Sequence, residues 1–388
     1  MSRTFYAALI SFATLAACGG ASPVTGTSTD DAGANSSLDM TVVPDMAIAR
    51  PPLGMPITAP MNQWTWIDFP DSMCDDGTPT GIGISPGKSN NVLIFVNGGG
   101  ACWDYSTCFV LHTYAAGPFG KPEFDSISAG DFSGSIFGRD PGSPFADWSF
   151  AFVPYCTGDV HSGNKVTAYT GYNAQSMKTE TRMFNHKGGA NLESYLKRIA
   201  ATFPSPDKAV FAGSSAGGFG AAMNYDVFRR YFAGAKEAYL VDDSGPPFMG
   251  DEIPAGFKTS WSNSWGWDKT LLTVCPDCLN DVSSLVPILG ARYPHDRMAL
   301  LSSLQDQTIR GYFVLSPATF QADLLDTATK VIDPIANFRY FFIKGSTHTM
   351  LVDPSRATYT SNGVRLWDWL KQQMFDDPSW ASTKPPGT

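Results

Sequence analysis

Histidine is scarce in this chain, and positive charge is not in excess. Five histidines occur in 388 residues, and 27 Lys and Arg stand against 36 Asp and Glu, a net charge of −9. That balance excludes a protein built to grip nucleic acid, whose phosphates demand a basic face. It also weighs against a strongly anionic substrate, short of a local basic patch. No internal repeat is present. The glycine run Gly98-Gly99-Gly100-Ala101 lacks the Lys-Ser/Thr ending of a phosphate-binding P-loop. Cys275-Pro276-Asp277-Cys278 invites a zinc reading, but no second close pair and no nearby His completes four ligands. Neither a metal nor a cofactor is expected. What the chain does have is apolar content of 43%, ample for a core, and 10 Trp, high for a plain structural module. Its length suits one large domain or two.

The start of the chain reads as a targeting segment. Arg3 precedes an apolar run from Phe5 to Ala17, too short to span a bilayer and typical of a signal-peptide core. Leu15-Ala16-Ala17-Cys18 looks like a bacterial lipobox, which implies cleavage before Cys18 and lipidation of its thiol. Residues 18–56 are rich in Gly, Ala, Ser, Thr, Asp and Pro with no apolar period, the composition of a tether. The expected organisation is a signal peptide over 1–17, a lipidated tether over 18–56 and a catalytic domain over 57–388, exported and anchored to a membrane or cell surface. With Cys18 set aside, Cys74, Cys102, Cys108, Cys156, Cys275 and Cys278 remain. An even number behind an export signal implies disulfides, whose pairing the spacing leaves open.

Globular sequence begins near Trp64. Asn91–Val96 and Trp148–Tyr155 are apolar runs fit for buried strands, as are the segments at Ala209–Ala212, Glu237–Val241, Arg297–Leu304 and Phe338–Ile343. Trp64–Phe69 and Thr80–Ile84 read as short strands around a turn at Asp75-Asp76-Gly77. Helical segments are expected at Asn191–Phe203, after Gly217, at Val282–Leu289, Phe320–Val331 and Val364–Phe375, whereas 101–147 and 249–280 read as irregular. Strands alternating with helices predict an α/β fold, a mostly parallel sheet covered by helices on both faces, and the strand-turn-helix motif around residues 213–217 makes it α/β-hydrolase-like.

Gly213-Ser214-Ser215-Ala216-Gly217 is the chemically telling stretch. G-x-S-x-G alone arises by chance, but here a buried strand precedes it and a helix-compatible run follows, the context of a nucleophile elbow. The spacing makes Ser215 the nucleophile. The glycine run after the Asn91–Val96 strand is placed to supply an oxyanion hole, with the backbone N–H groups of Gly100 and Ala101 joined by that of Ala216. His112, His161 and His186 precede the elbow and His295 precedes its strand. His348 follows the last strand and is the expected base. Asp242, Asp243 and Asp306 all follow strands, and Asp306, after the later one, is the favoured acid.

Several segments together resemble the pectin acetylesterase and Notum family of carboxylesterases. They are Cys74-Asp75-Asp76-Gly77-Thr78-Pro79, Asn97-Gly98-Gly99-Gly100-Ala101-Cys102, Pro154-Tyr155-Cys156, Asp159-Val160-His161-Ser162-Gly163, Ala212 through Gly218, and Asp243-Ser244-Gly245. The resemblance implies a triad of Ser215, Asp306 and His348. It also implies disulfides Cys74–Cys156 and Cys102–Cys108, leaving Cys275 with Cys278. Family members commonly carry Trp directly after the glycine run; here Ala101 stands there and Trp103 follows two residues later, which bears on the acyl pocket. The implied function is a monomeric, secreted serine carboxylesterase that removes O-acetyl or other short acyl groups from a polysaccharide such as pectin. The partners are then an ester substrate, a membrane reached through the lipid anchor, and no nucleic acid. One alternative is a lipase-like or polyester-degrading hydrolase. Another is a non-catalytic carbohydrate-binding lipoprotein displaying the Trp-rich 261–267 region as an aromatic platform.

Overall fold

The computed structural model describes residues 50–388 apart from Asp131 and Ala255. The expected signal segment, Cys18 and nearly all of the tether lie outside the described residues. The strands are β1 (Thr65–Phe69), β2 (Thr80–Ser85), β3 (Asn91–Val96), β4 (Ser149–Val153), β5 (Lys165–Asn173), β6 (Lys178–His186), β7 (Lys208–Ser214), β8 (Glu237–Asp243), β9 (Arg297–Ser303) and β10 (Phe338–Ile343). The helices are α1 (Lys121–Gly130), α2 (Gly188–Thr202), α3 (Ala216–Met223), α4 (Tyr225–Tyr231), α5 (Phe257–Trp265), α6 (Leu285–Arg292), α7 (Gln307–Tyr312), α8 (Pro317–Thr327) and α9 (Leu366–Met374).

Eight strands form one sheet in the order β1-β2-β4-β3-β7-β8-β9-β10. β1–β2 and β2–β4 pair antiparallel; every pairing from β4 to β10 is parallel. The sequence explains why the centre is two-sided. In β3, Val92, Ile94 and Val96 enter one core while Leu93 and Phe95 enter the other, because successive strand side chains point to opposite faces. Leu192, Tyr195, Leu196 and Ile199 of α2 close the first face, and Leu366, Trp369 and Leu370 of α9 close the second. Each such fully buried Leu, Ile or Phe contributes about 1.5–3 kcal/mol.

The body extends further toward the N-terminus than residue 57. Arg50 Nε donates to Tyr231 O (3.1 Å), Gly54 N to Lys197 O (3.0 Å) and Ile57 N to Thr202 Oγ1 (2.8 Å), fastening residues 50–57 to the ends of α4 and α2. At the far edge Thr383 exchanges backbone hydrogen bonds with Tyr340 and Phe342, so the β10 edge is covered. Among the described residues no helix is long and apolar enough to cross a membrane.

Three elements arise where the sequence reads as irregular or silent. β5 and β6 form a separate antiparallel hairpin. Only Tyr169 and Phe184, with His186, are buried along it, so its alternation is diluted, and its turn at 174–177 carries no Gly or Asn. α1 buries only Phe124. α5 is held by stacked tryptophans one turn apart, Trp261 over Trp265 at 5.8 Å, rather than by a broad apolar stripe.

Candidate active site

Parallel strands bring their carboxyl ends to one edge of the sheet, where ligands bind in open α/β folds. β7 ends at Ser214 and α3 begins at Ala216, so Ser215 carries the whole turn, with φ 60° and ψ −125°. A non-glycine residue pays for a positive φ, and such strain clusters at functional sites. The flanking glycines are required by contact. A Cβ on Gly213 would lie 2.1 Å from Gly217 O, and one on Gly217 would lie 2.0 Å from Val96 O. Ser215 N donates to Asp243 O (2.7 Å), and among the described residues its Oγ makes no hydrogen bond.

Beyond β9, Asp306 caps α7. Its Oδ1 accepts from Thr308 N (2.9 Å) and Ile309 N (3.0 Å). The same fully buried carboxylate receives His348 Nδ1, at 2.9 Å to Oδ2 and 3.0 Å to Oδ1. With Nδ1–H donating there, Nε2 is left as the acceptor. Ser303 Oγ, at the end of β9, donates to Thr347 O (2.6 Å) and steadies the loop that carries His348. The other two acids do different things. Asp243 accepts from Ser214 Oγ and from the backbone of Met350 and Leu351 and makes no hydrogen bond to His348. Asp242 is buried with Oδ1 unpartnered, and its carboxyl is pushed well above the usual range by burial.

The glycine loop abuts the elbow, since a Cβ on Gly98 would stand 2.9 Å from Ser215 Cβ. One expected donor is corrected here. Ala101 N–H donates to Thr113 O (3.1 Å), because residues 99–101 bridge to 113–115, so it is not a free donor beside Ser215. Tyr155 Oη donates to Gly100 O (2.8 Å), so the Gly100–Ala101 peptide is pinned at both its oxygen and its nitrogen. The N–H groups of Gly100 and Ala216 have no partner among the described residues, and both residues border the same cavity as Ser215. Tyr155 and Tyr312, whose hydroxyl donates to Thr113 O, brace this loop; no spacing in the sequence marks either role.

That cavity opens to solvent, and its wall is almost wholly apolar. Trp103, Phe219, Phe248, Trp261, Ile309 and Phe313 are among its lining residues. Trp103, not the residue after the glycine run, fills the wall and packs on Phe257 (5.3 Å) and Trp261 (5.9 Å). The platform reading of 261–267 fails on burial: Trp265 and Trp267 are 2% and 0% exposed, and their indole N–H groups donate to Cys102 O and Ser162 Oγ.

The three disulfides are Cys74–Cys156, Cys102–Cys108 and Cys275–Cys278, which also spends the sulfurs of the zinc candidate. Cys102, Cys108 and His186 lie close enough to share a metal, but both thiols are consumed in the bridge. His161 and His186 are interior residues. Burial pushes them down to about 4 and about 3, and they bond to Asn97 O and to Thr157 O with Tyr169 Oη.

Comparison with known proteins places these residues in context. A family model described as pectinacetylesterase matches residues 58–263, which include Gly100, Ser215 and Ala216 and stop short of Asp306 and His348. Palmitoleoyl-protein carboxylesterase notum2 of Xenopus laevis is 29% identical over 157 residues, 39% of this chain and 29% of that protein. Pectin acetylesterase 7 of Arabidopsis thaliana is 25% identical over 190 residues, 48% of this chain and 45% of that protein. The chain thus aligns with less than half the length of these curated relatives. The solved structure of the Wnt deacylase Notum from Drosophila superposes with a TM-score of 0.58 at 16% identity, covering 84% of this chain and 96% of that one. The fold is therefore Notum-like, an α/β-hydrolase-like sheet with helices on both faces.

Proposed function

Because this chain belongs to the pectinacetylesterase family, we propose that it is a serine hydrolase of carboxylic esters, with Ser215 as nucleophile, His348 as base and Asp306 as its orienting acid. The observation that carries the reading is the convergence of three strand ends: Ser215 strained at the end of β7, and Asp306 after β9 bonded to His348 after β10. In this mechanism the bond between Ser215 Oγ and His348 Nε2 closes as substrate seats, since catalytic contacts often tighten only in the complex. Oγ attacks the acyl carbonyl while Nε2 takes its proton. The N–H groups of Gly100 and Ala216 hold the oxyanion, each worth roughly 3–4 kcal/mol. The imidazolium then protonates the departing alcohol, and water activated by His348 releases the acyl group from the enzyme.

The apolar cavity favours an acyl group longer than acetyl. An acetyl methyl covers little of a wall built from Trp and Phe, whereas each further buried CH₂ gains about 0.8 kcal/mol. The alcohol side of the substrate, a saccharide or another polyol, is left to experiment, and the exported, Cys18-anchored location belongs to the same proposal. The test is a series of p-nitrophenyl esters from acetate to laurate. The expected result is a rise in kcat/KM of at least about tenfold from acetate to octanoate, with Ser215→Ala at background throughout. A maximum at acetate returns the polysaccharide deacetylase to first place, and a fully active Ser215→Ala overturns the nucleophile.

A further inference from the structure

We infer that Asp243 is a positioning residue that latches the loop carrying His348 onto the nucleophile turn; the inference rests on the serine-hydrolase reading above. Asp243 ends β8, between β7 and β9 in the sheet, and is fully buried. Its carbonyl and its carboxylate serve different neighbours. The carbonyl oxygen accepts Ser215 N–H at 2.7 Å. Oδ2 accepts Ser214 Oγ at 2.7 Å, Met350 N at 2.8 Å and Leu351 N at 2.9 Å, and Oδ1 takes a second contact from Met350 N at 3.1 Å. One side chain therefore joins the residue before the nucleophile to the two amides just beyond the base.

The loop needs such a latch. Thr349, between His348 and those amides, has φ 63°, a conformation a β-branched residue avoids. Strain of this kind persists only where the surroundings over-determine it, and hydrogen bonds to a carboxylate are among the stronger ones available. His348 is thus fixed twice. Asp306 sets the rotation and tautomer of the ring through Nδ1, and Asp243 sets the position of the backbone that carries the ring relative to Ser215. The second task is invisible to a search for an acid beside the histidine, because Asp243 never touches the imidazole.

A latch acts only through His348, and that separates it from a residue that merely fills the core. Asp243→Asn puts an N–H₂ in the Oδ1 position, donor against donor with Met350 N–H, and leaves at Oδ2 a neutral amide oxygen that accepts Ser214 Oγ, Met350 N and Leu351 N more weakly than the carboxylate. On p-nitrophenyl octanoate, kcat is expected to fall about 100-fold, the loss typical of a 1 Å misplacement, with KM little changed. The low-field proton resonance of the His348 Nδ1–H bonded to Asp306 should survive in Asp243→Asn and vanish in Asp306→Asn. In a His348→Ala background, Asp243→Asn should subtract nothing further from residual hydrolysis. Equal losses in both backgrounds, or wild-type kcat in folded Asp243→Asn, overturn the inference. If Asp243→Asn does not fold, Ser214→Ala carries the test, because it removes one donor and spares the loop amides. It should lower kcat about fivefold, and again only when His348 is present; no loss with His348 present, or an equal loss without it, overturns the latch. Ser215→Ala, measured alongside, distinguishes the two failures. An active Ser215→Ala sinks the hydrolase reading and the latch with it; an inactive one beside an unimpaired latch variant sinks the latch alone.

Discussion

Asp306 performs two jobs with one carboxylate, and the pairing has a consequence for mutation. It caps α7 through Thr308 N and Ile309 N while holding His348 Nδ1. Asn is as good a helix cap as Asp, so Asp306→Asn should keep the fold and the thermal midpoint within a few degrees. The amide oxygen then stays on α7 and the N–H₂ turns toward His348, forcing the tautomer with the proton on Nε2. That tautomer accepts no proton from Ser215. The expected fall in kcat is on the order of 10⁴, measured on activated esters beside a melting curve. A loss under tenfold with the fold intact would give the orienting role to another group.

At the scale of elements, the β5–β6 hairpin is joined to the body through buried, neutral histidine. His186, at the end of β6, bonds to Thr157 O (3.0 Å) and Tyr169 Oη (2.8 Å). Burial holds it down at about 3, partly opposed by the Thr157 carbonyl and aided by the nearby Lys165 charge. An unfolded His titrates near 6.5. Its contribution is therefore complete above about pH 6.5 and is lost as pH falls toward 3, because the unfolded chain takes up the proton first. Asp159, raised to about 7 by burial, has the opposite sign: its contribution is complete below about pH 3.8 and is lost as pH rises to 7. The two trends partly cancel in wild type. His186→Gln removes one of them, so the gap in melting temperature between wild type and this variant should be widest near pH 7.5 and narrow toward pH 4.5. A gap independent of pH would mean that His186 is already charged in the folded protein.

For the whole molecule, the proposed Cys18 anchor sets where an apolar acyl pocket would meet its substrate. A bacterial lipoprotein modification supplies more than one acyl chain, enough for stable attachment. Wild type should enter the detergent phase in a partitioning assay and Cys18→Ser should stay in the aqueous phase; identical aqueous behaviour counts against the anchor. Three disulfides, a two-faced sheet and a covered β10 edge hold residues 50–388 as one unit.

The strands were legible in the sequence because β3, β7, β8, β9 and β10 are buried on both faces and read as continuous apolar runs. The elbow was legible because strain at Ser215 requires small neighbours, and these are written into the chain as Gly213 and Gly217. Position after a strand narrowed the candidate acid and base to a few residues. Tertiary structure decided the rest. Asp306 and Asp243 follow their strands alike, and only the path of the 347–351 loop puts one against the imidazole ring and the other against the backbone. Ala101 N–H left the oxyanion candidates because a bridge to residues 113–115, a contact without local pattern, consumed it. The apolar wall of the cavity is assembled from Trp103, Phe219, Phe248, Trp261 and Phe313. Periodicity encodes which face of one element is apolar; it carries no information about which distant elements close around the same space.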